Sequence, residues 1–439
     1  MFLMSLSGIK SEYIIIIAFS AIIIISFVFN FISKKTNIPS VLLLMALGVL
    51  VQHYYPHLKE HPLISDALIL VGKIGLILIV LEAALDLKLT KEKTGLIVKA
   101  FVSAFLGVVL TSVAIALIIE YFYHSSFINS FVYAIPLAIL SSAIVIPSVT
   151  SLTEFKKEFL IYESAFSDIL GIIFFQYLVS NSDSLNQPLR MFGVIMSDIV
   201  ITSIVALIFS YIAVWGIQKL TSHVKLFLVI AILLLVYALG AIFHISSLIF
   251  ILMFGLVLNN AHTFFKGFFA NFIQLDKLNE IYKEFHLITL ESSFVLRTFF
   301  FVSFGLTISV ATLFNYKLTL EALAVITVIY LLRFILLKLI FWHKNILVET
   351  FISPRGLITI LLFYSIPTAF VIPDFDAGLL LYIILVTGFI MTLSLVLSSG
   401  KKDIKTIIHD MEELNCMMEE SLEDNKYDLT QFIDQKKHK

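Results

Sequence analysis

The sequence predicts an all-α polytopic membrane protein with about thirteen transmembrane helices. Hydrophobic residues make up 59% of the 439 residues, and the mean hydropathy is +1.01. Charged residues make up only 14%, whereas soluble domains contain about 25%. The apolar residues fall into long runs without the alternating pattern of barrel strands, so membrane helices are the expected element throughout.

Each run is about 17–25 residues long, the length that crosses a bilayer as a helix, although several are shorter. The first has no small-residue cleavage site after it, so we interpret it as a retained span and not a signal peptide. The thirteen expected spans are residues 13–33, 38–53, 67–87, 97–121, 130–150, 158–180, 190–217, 224–243, 246–260, 287–310, 318–340, 346–371 and 378–399.

Two regions follow from this pattern: a transmembrane domain over residues 1–400 and a short charged tail over 401–439. Apolar residues at helical spacing in the tail favour either a solvated amphipathic helix or a regulatory or dimer contact. Net charge −1 indicates no nucleic-acid partner, and a single cysteine excludes an intrachain disulfide.

Loop charges predict the orientation, because lysine and arginine concentrate in cytoplasmic loops. They place the N-terminus outside and the C-terminus in the cytoplasm, in the plasma or inner membrane, and an odd span number agrees. One set of alternate loops holds most of the lysines, namely Lys34, Lys35, Lys88, Lys91, Lys93, Lys156, Lys157, Lys219, Lys225, Lys266, Lys277, Lys283 and Lys344; the other holds little beyond Lys59, Arg190 and Lys317.

Asp168 lies in the middle of an apolar run in span six. A carboxylate at the bilayer centre costs a few kcal/mol or more, so it is a functional-site candidate by default. The alternative is a structural ion pair with an arginine. Glu163 lies five residues earlier, about 140° around a helix, so the two carboxylates do not face one point.

Spans five and twelve each contain a helix-breaking proline among hydroxyl residues, Pro147 in one and Pro354 in the other. The odd offset between the spans predicts two inverted repeats, spans 1–6 and 8–13. A pair of interrupted helices at matching positions indicates a transporter's binding site. The alternative is that both helices simply kink at proline.

At these residues the chain resembles the monovalent cation:proton antiporter superfamily, on the Na+/H+ exchanger side, over about residues 10–400. The run Glu163-Ser164-Ala165-Phe166-Ser167-Asp168 is similar to the family's Glu-Ser-x-x-Asn-Asp motif, and Ser353-Pro354-Arg355-Gly356 to its Arg-Gly stretch. Ile38-Pro39 through Gly48 resembles its early short span, and Arg297 through Gly305 its Phe-rich segment.

Three positions depart from that pattern. Ser167 replaces the asparagine before the key aspartate, and Ser141-Ser142-Ala143 replaces Thr-Asp-Pro in the unwound helix, which removes its acid. Arg297 occupies the place of a glutamate near the start of the Phe-rich segment. These departures bear on which ion is carried and on how the helix ends are neutralised.

The resemblance implies a secondary transporter that exchanges Na+ or K+ for H+ by alternating access, with no cofactor, as a homodimer in lipid. Asp168 would hold either a proton or the cation, because burial disfavours its ionised form and a nearby cation favours it. Its oxygen shell would be completed by hydroxyls. The candidate ligands are Ser141, Ser142, Ser164 and Ser167.

The resemblance also implies a structural ion pair between Glu163 and Arg333 in span eleven. Arg355 and Gly356 lie at the expected helix crossing with Pro147 and Pro354, where the arginine would offset helix-end partial charges. A core of spans 4–6 and 11–13 would move against the remaining spans.

The sequence does not decide the roles of two charged residues, Arg297 and Glu82. Arg297 has Glu291 nearby in sequence, but a separation of six residues is poor pairing geometry on one helix. Glu82 is either structural or part of the cytoplasmic funnel.

A single exchangeable carboxylate predicts electroneutral one-for-one exchange. Two alternative functions stay open at this point. One is another inverted-repeat carrier, such as a Na+-coupled symporter of organic anions. The other is a membrane-embedded enzyme or sensor, for which the sequence offers no paired catalytic residues.

Overall fold

The computed structural model describes residues 11–36, 38–55, 62–89, 93–149, 152–180, 188–219, 225–242, 247–265, 273–308, 315–342 and 345–399. Within these ranges the chain forms helices and loops, with no strand. The first half contains α1 Ser11–Thr36, α2 Ser40–Tyr54, α3 Pro62–Asp86, α4 Thr94–Tyr123, α5 Phe127–Ala138, α6 Ser142–Ser148, α7 Glu154–Ser180 and α8 Pro188–Lys219.

The second half is also built of long helices and, like the first half with α5 and α6, contains two short helices in succession, Leu347–Phe351 and Leu357–Tyr364. Its helices are α9 Lys225–Ile242, α10 Ser247–Asn259, α11 Ala261–Phe264, α12 Leu275–Thr307, α13 Tyr316–Ile340, α14 Leu347–Phe351, α15 Leu357–Tyr364 and α16 Gly378–Ser399, with a 3-10 turn at Thr368–Phe370.

The predicted fold class is confirmed, because every expected span corresponds to a helix or to a pair of short helices. Spans five and twelve are the two that are interrupted, as α5–α6 and α14–α15. Among the described residues, seven helices or helix pairs are long and apolar enough to cross a membrane by length and composition. The tail expected over residues 401–439 lies outside the described residues.

Packing separates the helices into two groups. In the first, which we call the core, α4 contacts α5, α7 and α13, while α13 contacts α14 and α16. In the second, which we call the scaffold, α12 contacts α2 and α3, and α10 contacts α3 and α8. Helix α3 joins the groups through α7 and α15. The core therefore consists of spans 4–6 and 11–13.

The position of one helix break differs from the expected one. Residues 139–141 of span five leave the helix, with Ile139 and Ser141 in extended backbone conformations, whereas Pro147 lies inside α6. The break of span twelve does include Pro354, between α14 and α15. Proline therefore marks the break only in the second repeat. In the first repeat the break depends on tertiary contacts that satisfy the freed backbone groups.

Candidate functional site

The two breaks meet in the core, where one hydrogen bond between them and hydroxyls of α7 and α16 satisfy freed backbone groups. The Ser141 N–H donates to the Pro354 carbonyl at 3.0 Å. The Leu140 N–H donates to the Ser167 hydroxyl oxygen at 2.9 Å, and the Arg355 N–H donates to the Thr387 hydroxyl at 3.2 Å. Because an unpaired backbone group at lipid depth costs several kcal/mol, these contacts make the non-helical backbone tolerable.

Gly356 allows the two breaks to approach each other closely. A Cβ added at this residue would lie 2.8 Å from the Ile144 Cδ1 atom and 3.0 Å from the Ser141 Cβ atom. Both neighbours belong to the first break or to α6, and Ile144 is buried. A side chain at position 356 would therefore require Ser141 and Ile144 to shift.

Asp168 faces the first turn of α6. It is 3% exposed, and its Oδ2 atom accepts the Ser142 N–H at 3.1 Å and a short hydrogen bond from the Ser142 hydroxyl. Its Oδ1 atom is buried and has no hydrogen-bond partner among the described residues. A buried carboxylate with one oxygen unused is an arrangement that either a proton or a hard cation completes.

The four serines expected around Asp168 have different surroundings. Ser142 contacts the carboxylate directly, and Ser141 is buried next to Gly356. Ser164 lies one turn before Asp168 on α7, and its hydroxyl donates to the Ile161 carbonyl at 3.2 Å.

Ser167 accepts the Leu140 N–H instead, and it lines a separate cavity. Its observed contact fixes the unwound segment and does not point to the Asp168 carboxylate.

Arg355 is 3% exposed and binds carbonyl oxygens where helices end. Its Nε donates to the Leu137 carbonyl at 2.6 Å, at the end of α5. Its Nη1 donates to the Ser353 carbonyl at 2.9 Å and to the Ser353 hydroxyl at 2.7 Å, just beyond α14. Helix carboxyl ends carry a partial negative charge, so the guanidinium offsets two of them at once.

Glu163 and Arg333 form a bidentate pair between α7 and α13. Arg333 Nη1 lies 3.1 Å from Glu163 Oε1, and Nη2 lies 2.8 Å from Oε2. Ser103 on α4 adds a third donor at 2.6 Å, and Arg333 Nε donates to the Glu349 carbonyl at 3.0 Å. Three helices of the core, α4, α7 and α13, therefore meet at the Glu163 carboxylate, and Arg333 links α14 to them.

A small cavity with several polar lining residues lies beside this pair. Its volume is about 30 Å³, room for roughly two waters. Asp168 does not line it, whereas Ser167 does. Its other polar lining residues are Ser103, Thr111, Glu163, Arg333, Ser353 and Arg355.

The two residues with open roles are paired with each other in the scaffold. Arg297 Nη2 lies 3.3 Å from Glu82 Oε1, so the arginine of α12 contacts α3 and not Glu291 of its own helix. Glu82 Oε2 is buried without a hydrogen-bond partner among the described residues. One turn further along α3, Asp86 contacts His286 of α12 at 2.8 Å. These contacts fasten α3 to α12.

Sequence reasoning missed the hydroxyls that support the crossing from other helices. Ser103 and Thr387 are both at most 3% exposed, and each contacts a residue that the motifs identify. Their sequence signal is weak, because each is one hydroxyl in a long apolar span, where such residues commonly bond their own helix. Only the packing of α4 and α16 shows what they contact.

Comparison with known proteins is consistent with this arrangement. A family model described as "Sodium/hydrogen exchanger, transmembrane" matches residues 17–398. A solved structure of the sodium proton antiporter MjNhaP1 from Methanocaldococcus jannaschii at pH 8 aligns with TM-score 0.63 and 21% identity, over 89% of this chain and 97% of that chain. A second structure of MjNhaP1, from an electron-microscopy map, aligns with TM-score 0.60, 21% identity and coverages of 90% and 96%. No curated protein sequence matches the chain.

The matched family and both solved structures are transporters, so the enzyme alternative is not supported and no cofactor is implied. The structural likeness establishes the fold, and the family match establishes an integral multi-pass membrane protein.

Proposed function

The chain belongs to the sodium/hydrogen exchanger transmembrane family, and from this premise we propose that it exchanges Na+ or K+ for H+, with Asp168 as the shared site. The single observation that supports the assignment to Asp168 is its buried Oδ1 atom, which lacks a partner at the crossing of the two breaks. A proton on the carboxylate and a cation beside it exclude each other, because each satisfies the same oxygen.

In the proposed cycle Asp168 alternates between two states, one with a bound cation and one with a bound proton. Ionised Asp168 binds the cation from one side with help from the Ser141 and Ser142 oxygens. Movement of the core against the scaffold then exposes the site to the opposite side, where protonation of Asp168 releases the cation. The carboxylate carries either one monovalent cation or one proton and is neutral with either, so the exchange is one-for-one and electroneutral.

Glu163, Arg333 and Arg355 hold the core together in this proposal and bind no transported ion. Glu163 has three donors on its two oxygens, and the described Arg355 bonds go to helix-end oxygens and Ser353. The Arg355 guanidinium offsets the partial negative charge at the carboxyl ends of α5 and α14. This leaves Asp168 as the carboxylate that faces a break with a free oxygen.

Proteoliposomes that contain a pH-sensitive dye test the proposal. Addition of Na+, K+ or Li+ to vesicles with the wild-type protein should dequench the dye, and Asp168→Asn should give no response. Glu154→Gln, a change at an exposed α7 residue, serves as the matched control and should exchange at the wild-type rate. Exchange by Asp168→Asn at that rate would refute the role of Asp168.

Electroneutrality has a separate readout. A voltage-sensitive dye in the same vesicles should show no membrane potential during exchange, and valinomycin should not accelerate it. A potential that develops with wild-type protein but not with Asp168→Asn would contradict one-for-one stoichiometry while leaving the shared site intact.

We further propose a homodimer in the plasma or inner membrane with the C-terminus in the cytoplasm. The bias of loop lysines supports the orientation. Cys416, the only cysteine in the chain, provides the test, because a membrane-impermeant maleimide should label it only after cells are permeabilised. The dimer is tested by the mass of the detergent-solubilised protein.

A further inference from the structure

One end of the core carries two lysines, Lys99 on α4 and Lys338 in the last turn of α13. Both are exposed. The acids on the neighbouring turns of the core pair with other lysines: Glu154 with Lys157, Glu158 with Lys93 and Glu349 with Lys156. Within the described residues, neither Lys99 nor Lys338 forms an ion pair.

Aromatic rings hold this end of the two helices in place. Lys99 Nζ lies 5.4 Å from the centre of the Phe341 ring, which is a cation–π distance. Phe341 is buried and packs edge-to-face against Phe155 and Phe159 of α7, with ring centres 5.8 Å and 4.9 Å apart. Lys99 is therefore placed next to the end of α13, one turn from Lys338.

The surface beneath the two lysines is apolar and exposed. It is formed by α4 and α13, which pack side by side. Trp342, at the end of α13, is 63% exposed, and tryptophan favours the level of lipid headgroups. The exposed apolar residues on these faces are Val98, Phe101, Val102, Phe334, Ile335 and Leu339.

We propose that the surface formed by Lys99, Lys338 and Trp342 binds the headgroup of an anionic phospholipid. The acyl chains lie along the apolar faces of α4 and α13, and the phosphate lies between the two ammonium groups. Basic surfaces between transmembrane helices at the headgroup level have the charge and shape for such lipids. The lysine stems reach along apolar surface while their charged ends stay at the headgroups.

The chain contains two tryptophans, which makes the site directly measurable. The variant Trp215→Phe leaves Trp342 as the only tryptophan. It is reconstituted in phosphatidylcholine vesicles in which a small fraction of the lipid is brominated, either as phosphatidylglycerol or as phosphatidylcholine. Bromine quenches a tryptophan that it contacts, so the fluorescence reports which lipid lies at the end of α13.

Brominated phosphatidylglycerol should quench Trp342 at a mole fraction up to about 25-fold lower than brominated phosphatidylcholine, since each of the two lysines contributes up to about fivefold and the two factors multiply. The additional changes Lys99→Gln and Lys338→Gln should remove that difference. Equal quenching by the two lipids, or selectivity that survives the loss of both lysines, overturns the proposal. A thermal midpoint equal to that of the parent confirms that the variant is folded.

Two further arms separate other sources of the signal. Soluble glycerol phosphate at millimolar concentration should leave the selectivity unchanged; its loss would mean that a free phosphate occupies the site. The variant Trp342→Phe retains Trp215, whose ring centre lies 3.6 Å from the single Lys219 Nζ. Selectivity at Trp215 as large as that at Trp342 would show that the two-lysine surface has no special affinity.

Discussion

Removing one partner of the Glu163–Arg333 pair should destabilise the core strongly. Glu163→Gln leaves the Arg333 guanidinium without a counter-charge in a site where the two side chains are 3% and 11% exposed. Loss of one member of a buried pair costs about 3–5 kcal/mol, since the other charge stays desolvated. Arg333→Gln should cost a similar amount, because it leaves the carboxylate with Ser103 as its remaining side-chain donor.

The interaction free energy between Glu163 and Arg333 is obtained from the double variant. Glu163→Gln with Arg333→Gln removes both charges of the pair, so its loss should be smaller than the sum of the two single losses by at least about 1 kcal/mol. The free energy of unfolding is measured by chemical denaturation of the protein in detergent micelles. Exchange by the folded fraction should persist in the double variant, because the pair does not bind the transported ion.

The control is a surface pair on the same helix. Glu154 lies 3.7 Å from Lys157, and its side chain is 73% exposed, so Glu154→Gln should change stability by at most about 1 kcal/mol. If Glu163→Gln costs no more than this control, or if the two single losses simply add, the reasoning about a buried, coupled pair is wrong.

Three further predictions concern the crossing. Ser142→Ala removes a hydroxyl donor to ionised Asp168, so the half-saturating Na+ concentration in the dye assay should rise about tenfold or more; an unchanged value would contradict the hydrogen bond's role. Because proton and cation compete, the half-saturating Na+ concentration should also rise about tenfold for each pH unit below the pH at which Asp168 is half protonated. Independence of pH would exclude a shared site. Gly356→Ala should cost about 1–3 kcal/mol by overpacking and slow exchange, whereas Gly216→Ala, with no atom within 4 Å of the added Cβ, should leave exchange unchanged and should not destabilise the protein.

Much of the fold follows from the sequence, because a bilayer imposes helix length and apolar composition on every span. The two broken spans were also predicted, but Pro147 lies inside α6 while the break lies at residues 139–141. A proline signals that a helix is weakened nearby, but not where it opens. That position depends on which residues offer partners to the freed backbone, and the Ser167 hydroxyl and the Pro354 carbonyl do so.

For the site, too, some features follow from the sequence and others only from the structure. Sequence alone singled out Asp168, since a carboxylate in an apolar span is costly and therefore rare unless it has a function. It grouped Ser167 with Asp168 as neighbours in the chain, whereas consecutive residues on a helix point about 100° apart. The structure accordingly places Ser167 against the unwound segment and next to the polar cavity. It also gives Arg297 the partner Glu82, from a helix more than two hundred residues away in sequence.

The sequence by itself determined that the chain lies in a membrane, that its spans are helical, and which acid within them is chemically unusual. These properties follow from composition and local spacing, which can be read from each segment of the chain without knowing how the segments pack. Only the tertiary structure decided which polar groups meet, namely Asp168 with Ser142, Arg355 with the ends of α5 and α14, and Arg297 with Glu82. Hydrogen bonds and ion pairs act over a few ångströms, so their partners are fixed by how distant helices pack.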